Sequence, residues 1–236
     1  MSCYNITSFI AVLILYSYRS NITDIQNLYQ DMLLISLYVF LFGRTGAHYK
    51  LSPIRPPTSL ISITQLSSIV LHLVLVLLFQ MTAVMLLWQQ DWYEVHKPSD
   101  ELDYQSHINY TVFTIQVFQY ISLVIVFSKG RPYRKPIYTN KLLLTVIIIT
   151  TLLTLYICIA PDYPSWTANF FEIETENFSF EFRGILIALT LVHFVLALLL
   201  EEFIIGKLIA EKLVGLTKET NYEKIIKQLN KFYCIR

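Results

Sequence analysis

LSSIVLHLVLVLLFQMTAVMLLW, the stretch from Leu66 to Trp88, contains no Lys, Arg, Asp or Glu. A helix rising 1.5 Å per residue needs about 20 apolar residues to cross a hydrocarbon layer some 30 Å thick, so this stretch reads as a membrane crossing. Working outward, Tyr110 to Phe127, Leu142 to Ala160 and Gly184 to Leu200 are equally free of charge. Met1 to Tyr18 and Ile22 to Phe42 are nearly as apolar, which brings the expectation to six crossings. Hydrophobic residues make up 55% of the 236 positions, charged residues only 15%, and mean hydropathy is +0.51. A soluble domain carries about 25% charged residues. The expected fold class is therefore all-α, a polytopic transmembrane bundle.

Loop charge sets the expected orientation. Gly43 to Ser59 holds Arg44, Lys50 and Arg55, and Ser128 to Lys141 holds Lys129, Arg131, Arg134, Lys135 and Lys141, in both cases without an acid. Basic loops stay cytosolic. The alternate loops, Gln89 to Ile108 and Pro161 to Phe182, are acidic and are expected to face a lumen or the outside. Both termini are then cytosolic. Sequons at Asn109-Tyr-Thr and Asn177-Phe-Ser fall in the acidic loops, close to the membrane. Positions 1–42 form an expected membrane hairpin turning near Arg19, Ser20 and Asn21, positions 43–205 a four-helix support region, and positions 206–236 a charged cytosolic tail. All eight prolines lie in connections, so the crossings are expected to be continuous helices. Trp88, Trp92, Tyr93 and Tyr110 fit an interfacial belt. Gln80, Gln116, Gln119, His72 and His193 fit hydrogen bonds between helices. Cys3, Cys158 and Cys234 are scattered and suit packing.

Function is sought on the second crossing. Asp24, Asn27 and Asp31 share one helical face, a polar stripe that carries Asp31 roughly 15 Å below the luminal turn. A carboxylate at the bilayer centre costs about 2.5 to 3.5 kcal/mol, so it faces a partner, a cavity or a cation. Counted back from the same turn, Ser8 reaches the depth of Asp31, and Tyr4 lies one turn deeper on the face of Ser8. A carboxylate, a small hydroxyl and an aromatic ring converging at mid-membrane suit a cation. The alternative is a structural Asp31, bonded to hydroxyls between helices or protonated by desolvation.

The chain has no Gly-rich phosphate loop, Gly-x-Ser-x-Gly, His-Glu-x-x-His or Cys-x-x-Cys, and no catalytic residue or metal site is expected. No nucleic-acid partner is expected either.

Gly43-Arg-Thr-Gly-Ala-His-Tyr-Lys-Leu-Ser-Pro-Ile-Arg-Pro-Pro-Thr-Ser-Leu resembles the loop after the sixth membrane helix of the fifth class of P-type ATPases, in the polyamine-transporting subgroup B. Trp92-Tyr-Glu-Val, Asn109-Tyr-Thr-Val-Phe, Phe118-Gln-Tyr, Ser128-Lys-Gly-Arg-Pro-Tyr-Arg-Lys-Pro and Tyr138-Thr-Asn follow in the family's order. The resemblance covers roughly positions 3 to 205 and implies helices five to ten of a longer pump. It also implies a missing N-terminal portion that holds the phosphorylated Asp-Lys-Thr-Gly-Thr motif and takes ATP and Mg as cofactors. By the same resemblance Asp31 and Tyr4 match substrate-binding residues, whereas Ser8 departs from the family's usual Gln. The implied activity is ATP-driven transport of a polyamine or other cation from lumen to cytosol, with Asp24 near the pathway entrance. The implied site is a late endosomal, lysosomal or vacuolar membrane, with the lipid bilayer as partner. A stand-alone, non-catalytic six-helix protein or truncated remnant is the alternative.

Overall fold

The computed structural model describes residues 2–49, 63–96, 104–128, 130, 133–163, 166–176 and 178–205. Most of the Gly43 to Leu60 motif, the tail at 206–236, Asn177 and Cys234 lie outside the described residues. The chain is all-helical there, without a strand. Its long helices are α1 (Ser2–Ser17), α2 (Asp24–Phe42), α3 (Ile63–Trp88), α4 (His107–Phe127), α5 (Lys141–Ile159) and α6 (Phe180–Ile205).

Five of these, α2 to α6, are long and apolar enough to cross a membrane. The count differs from the expected six because α1 has 16 residues, about 24 Å of helix, against a hydrocarbon layer of about 30 Å. The hairpin turn lies where the sequence placed it. Tyr18 and Ser20 N–H groups both close on the Leu15 carbonyl, and Arg19 takes the left-handed φ of 57° that a turn off a helix end requires.

The core is α4, buried along almost its whole length against α1, α3, α5 and α6. A helix surrounded by protein needs no lipid-facing stripe. It therefore has room for Asn109, Thr111, Thr114, Gln116, Gln119 and Ser122, all buried. Ser106 and Asn140 side chains cap the N-termini of α4 and α5. Gln80 of α3 donates to Gln119 at 2.9 Å, as the sequence implied for buried amides. Tyr110 does not join an interfacial belt. It is fully buried, and its hydroxyl donates to the Cys158 carbonyl at 2.6 Å, because the aromatic ring of Phe178 covers it from the loop side. Asn109 likewise sits inside α4 rather than in a loop.

The basic loops are stitched together by an isolated bridge between Ala47 and Arg134. Two bonds hold it, His48 N–H to Tyr133 O and Lys135 N–H to Gly46 O, both 3.0 Å. At the opposite end Arg183 of α6 donates to Ile159 O and to Asp162, each at 2.8 Å, which locks the end of α5 to the start of α6. Burial pushes the Asp162 carboxyl up, but the Thr175 hydroxyl and the Arg183 guanidinium outweigh it and hold the group below its ordinary 3.8. A carboxyl depressed in the fold stabilises it above the unfolded value, and that contribution is lost as pH falls through the lower folded value. Arg183→Leu is expected to lower stability by about 2 kcal/mol, toward the small end for a charged group because Asp162 is half exposed, and to remove this acid sensitivity. Thermal unfolding in detergent at neutral pH and below pH 4 measures both.

Two helices depart from α-geometry without any proline. Residues Tyr29–Ser36 of α2 and 200–205 of α6 are π-helical, with hydrogen bonds spanning five residues instead of four. Both crossings stay continuous, as expected, but widen within their length. Each of these wide turns carries acidic side chains, Asp31 in the first and Glu201 and Glu202 in the second. The last crossing also continues past Leu200, where its charge-free run ends, through Glu201 to Ile205.

Candidate cation site on the second helix

The site begins with a cap. Thr23 and Gln26 form a reciprocal capping box that starts α2 at Asp24, whose charge suits the positive end of the helix. The inward face of α2 then carries Gln26, Tyr29, Gln30, Leu34 and Tyr38, all buried. Tyr29 meets Thr154 at 3.0 Å and Tyr38 meets Thr150 at 2.5 Å, which pins α2 to α5. The opposite face carries Asp24, Asn27, Leu28, Asp31 and Met32, all exposed. The stripe deduced from helical spacing is therefore real, and it looks away from the described bundle.

Asp31 and Tyr4 come together. The Tyr4 hydroxyl donates to Asp31 Oδ1, and the Asp31 carbonyl accepts the Ser36 hydroxyl at 2.7 Å within the π-helical turn. Tyr4 in turn lies with its ring 4.7 Å from that of Tyr120 on α4. Gln116 donates to the Tyr120 hydroxyl and pairs its amide with that of Gln30 at 3.2 and 3.5 Å. Gln30 precedes Asp31 in the chain, so the contacts close a ring across α1, α2 and α4. Ser8 bonds to the Tyr120 hydroxyl and not to the carboxylate. Asp24 and Asn27 keep the same face as Asp31 but lie up to two turns nearer the hairpin turn, apart from the tyrosines.

A second amide pair sits one turn above Gln30. Gln26 donates to Asn109 at 2.8 Å, Asn109 returns a bond to Gln26 at 3.2 Å, and Asn109 also donates to the Asn21 carbonyl. Sequence reasoning placed Gln116 between helices but missed Gln26, Gln30 and Tyr120. The signal was present in the spacing of Gln26 and Gln30, one turn apart and on the face opposite Asp24 and Asp31.

The chemistry of the arrangement is an exposed carboxylate, held by one hydroxyl and backed by two aromatic rings. A cavity of about 470 Å³ opens beside Tyr4 and Tyr120 and runs along mainly apolar side chains, Ile35, Phe42, Leu123 and Phe127 among them. Such a surface offers charge and π-faces to an ammonium group and hydrocarbon to an alkyl stem.

Comparison with known proteins gives the context. The chain is 38% identical over 164 residues to the probable cation-transporting ATPase catp-6 of Caenorhabditis elegans, covering 68% of this chain and 13% of that protein. It is 32% identical over 200 residues to human polyamine-transporting ATPase 13A2, covering 83% and 16%, and 33% identical over 184 residues to human polyamine-transporting ATPase 13A3, covering 68% and 15%. The chain belongs to the 13A family of P-type ATPases. No family model matches it. It spans 13 to 16% of the length of these curated relatives, so the described bundle corresponds to a minor part of a 13A protein.

Proposed function

We propose that this chain is the transmembrane part of an ATP-driven cation transporter, that its substrate is a polyamine, and that Asp31 with Tyr4 holds one ammonium of that substrate. The observation that carries the reading is the Tyr4 hydroxyl on the Asp31 carboxylate at a π-helical turn, with the tilted ring of Tyr120 against that of Tyr4. π-Turns recur at functional sites because they re-aim a side chain and shift the carbonyls around it. Asp24 and Asn27 extend the acidic face toward the hairpin turn, where a linear polycation meets one acid after another, and Ser8 acts through Tyr120. The names of the 13A2 and 13A3 relatives support a polyamine over a metal ion.

By this reading the face of α2 that carries Asp31 packs against the N-terminal portion of the longer protein. That portion also supplies ATP and Mg binding and the phosphorylated aspartate. The six helices cross an endosomal, lysosomal or vacuolar membrane with both ends in the cytosol, and the substrate moves from lumen to cytosol. The test is ATP hydrolysis by the full-length protein in detergent. Stimulation by spermine or spermidine and not by potassium or calcium is expected; hydrolysis that ignores polyamines overturns the reading. Asp24→Asn is expected to raise the half-stimulating polyamine concentration about threefold without changing the maximal rate, as for a shallow, solvated charge worth under 1 kcal/mol.

A further inference from the structure

The second π-helical turn holds a buried polar cluster that the cation site does not use. Glu201 of α6 is 6% exposed, and its Oε2 accepts the Ser68 hydroxyl at 2.7 Å and lies 3.1 Å from His72 Nε2, both on α3. His72 is 1% exposed, and its other ring nitrogen, Nδ1, is buried without a partner among the described residues. The Phe127 ring of α4 stands edge-on at 5.0 Å and closes the histidine off from the bundle interior. Two turns back along α6, His193 is 2% exposed, packs on Phe79 at 5.1 Å, and leaves Nε2 buried and unpartnered. It lies within electrostatic range of His72.

We propose that Glu201, His72 and Ser68 form a proton-binding site between α3 and α6, separate from the Asp31 site. A carboxylate and an imidazole sharing one contact titrate as a pair. With Glu201 ionised and His72 neutral, Nε2–H donates to Oε2 and Nδ1 is a bare acceptor. One proton taken from water, at Nδ1 or on the carboxyl, converts the pair to its protonated form with no other bond broken. The unpartnered Nδ1 gives the pair a second place for a proton besides the carboxyl. A hard metal cation is a poor fit, because it wants six or more oxygens and this cluster offers one carboxylate, one hydroxyl and a ring nitrogen. Among the described residues, the other titratable groups facing the pair are the Cys3 thiol from α1, His193 from α6 and the exposed Glu202 beside Glu201; α4 contributes the Phe127 ring. The cluster lies toward the end of the bundle where the basic loops gather.

The site is tested by infrared difference spectroscopy of the full-length protein, titrated between about pH 5 and pH 9, reading carboxyl and imidazole bands together. A protonation step is expected in the wild type and unchanged in Asp31→Asn, which separates this site from the cation site. Glu201→Gln is expected to remove the step, because it takes away the carboxylate that shares the proton. Ser68→Ala, a smaller change that serves if Glu201→Gln does not fold, is expected to move the midpoint by removing a donor to the carboxylate. No step in the wild type, a step that survives Glu201→Gln, or a midpoint indifferent to Ser68→Ala overturns the proposal.

Discussion

Asp31→Asn in the full-length protein is expected to raise the polyamine concentration for half-maximal ATPase stimulation by about 30- to 150-fold, the equivalent of 2 to 3 kcal/mol for one charge-assisted hydrogen bond. The amide keeps the size of the carboxyl group and still accepts the Tyr4 hydroxyl, so the local packing survives. What is lost is the charge that, on the proposed reading, meets the ammonium. Tyr4→Phe separates the two contributions. It keeps the ring beside Tyr120 and removes only the hydroxyl, and it is expected to cost a few-fold, the size of a cation–π site that has lost its orienting bond. Dose–response curves of ATP hydrolysis on both variants, with basal hydrolysis as the control for folding, check this. An Asp31→Asn enzyme that responds to polyamine at the wild-type concentration removes Asp31 from the substrate role.

Asn109→Leu is expected to destabilise the bundle by about 2 to 4 kcal/mol, the largest loss of any single substitution considered for stability. Asn109 is fully buried and ties Gln26, the Asn21 carbonyl and the Ser106 cap together at the point where α2 leaves the hairpin turn. A bond between membrane helices is worth only about 0.6 kcal/mol on average, so the lost bonds alone do not make this figure. The remainder comes from the buried Gln26 amide, which keeps Phe171 O and the Thr23 N–H but loses its bonds to Asn109, and from the part-buried Asn21 carbonyl, at about 1 to 3 kcal/mol for a group left unsatisfied. Gln80→Leu, which breaks a single amide contact to Gln119, is expected to cost about 1 kcal/mol and provides the comparison. Thermal unfolding in detergent ranks the two. The same burial carries a second outcome: no glycan is expected at the Asn109 sequon in the folded protein, since its amide nitrogen is already committed to two acceptors inside the helix bundle.

Chain composition and charge-free runs were enough for the class, the position of every long helix to within a few residues, and the hairpin turn at Arg19. They were enough because hydrocarbon imposes a length and an apolar requirement that each segment meets by itself. The acidic stripe of α2 was legible for the same reason, helical periodicity being local, whereas counting residues back from the tight turn put Ser8 level with Asp31 and Tyr4 one turn deeper, and it is Tyr4 that bonds the carboxylate. Ser8 defeated the same count: depth along a helix says nothing about rotation around it, and the α4 side chain Tyr120 captured its hydroxyl.

Rotation and neighbours were decided only in three dimensions. Which of six similar apolar helices lies at the centre is set by packing, and α4 took that place, converting Tyr110 from an interface residue and Asn109 from a loop residue into core. The π-helical turns at Asp31 and Glu201 carry contacts with α1 and α3 from far along the chain, and neither contains a proline or glycine. Local sequence thus determined how long each helix is and where it enters oil, since those depend on the solvent alone; the tertiary structure decided which polar atoms meet, since a buried donor is satisfied only by whichever helix stands beside it.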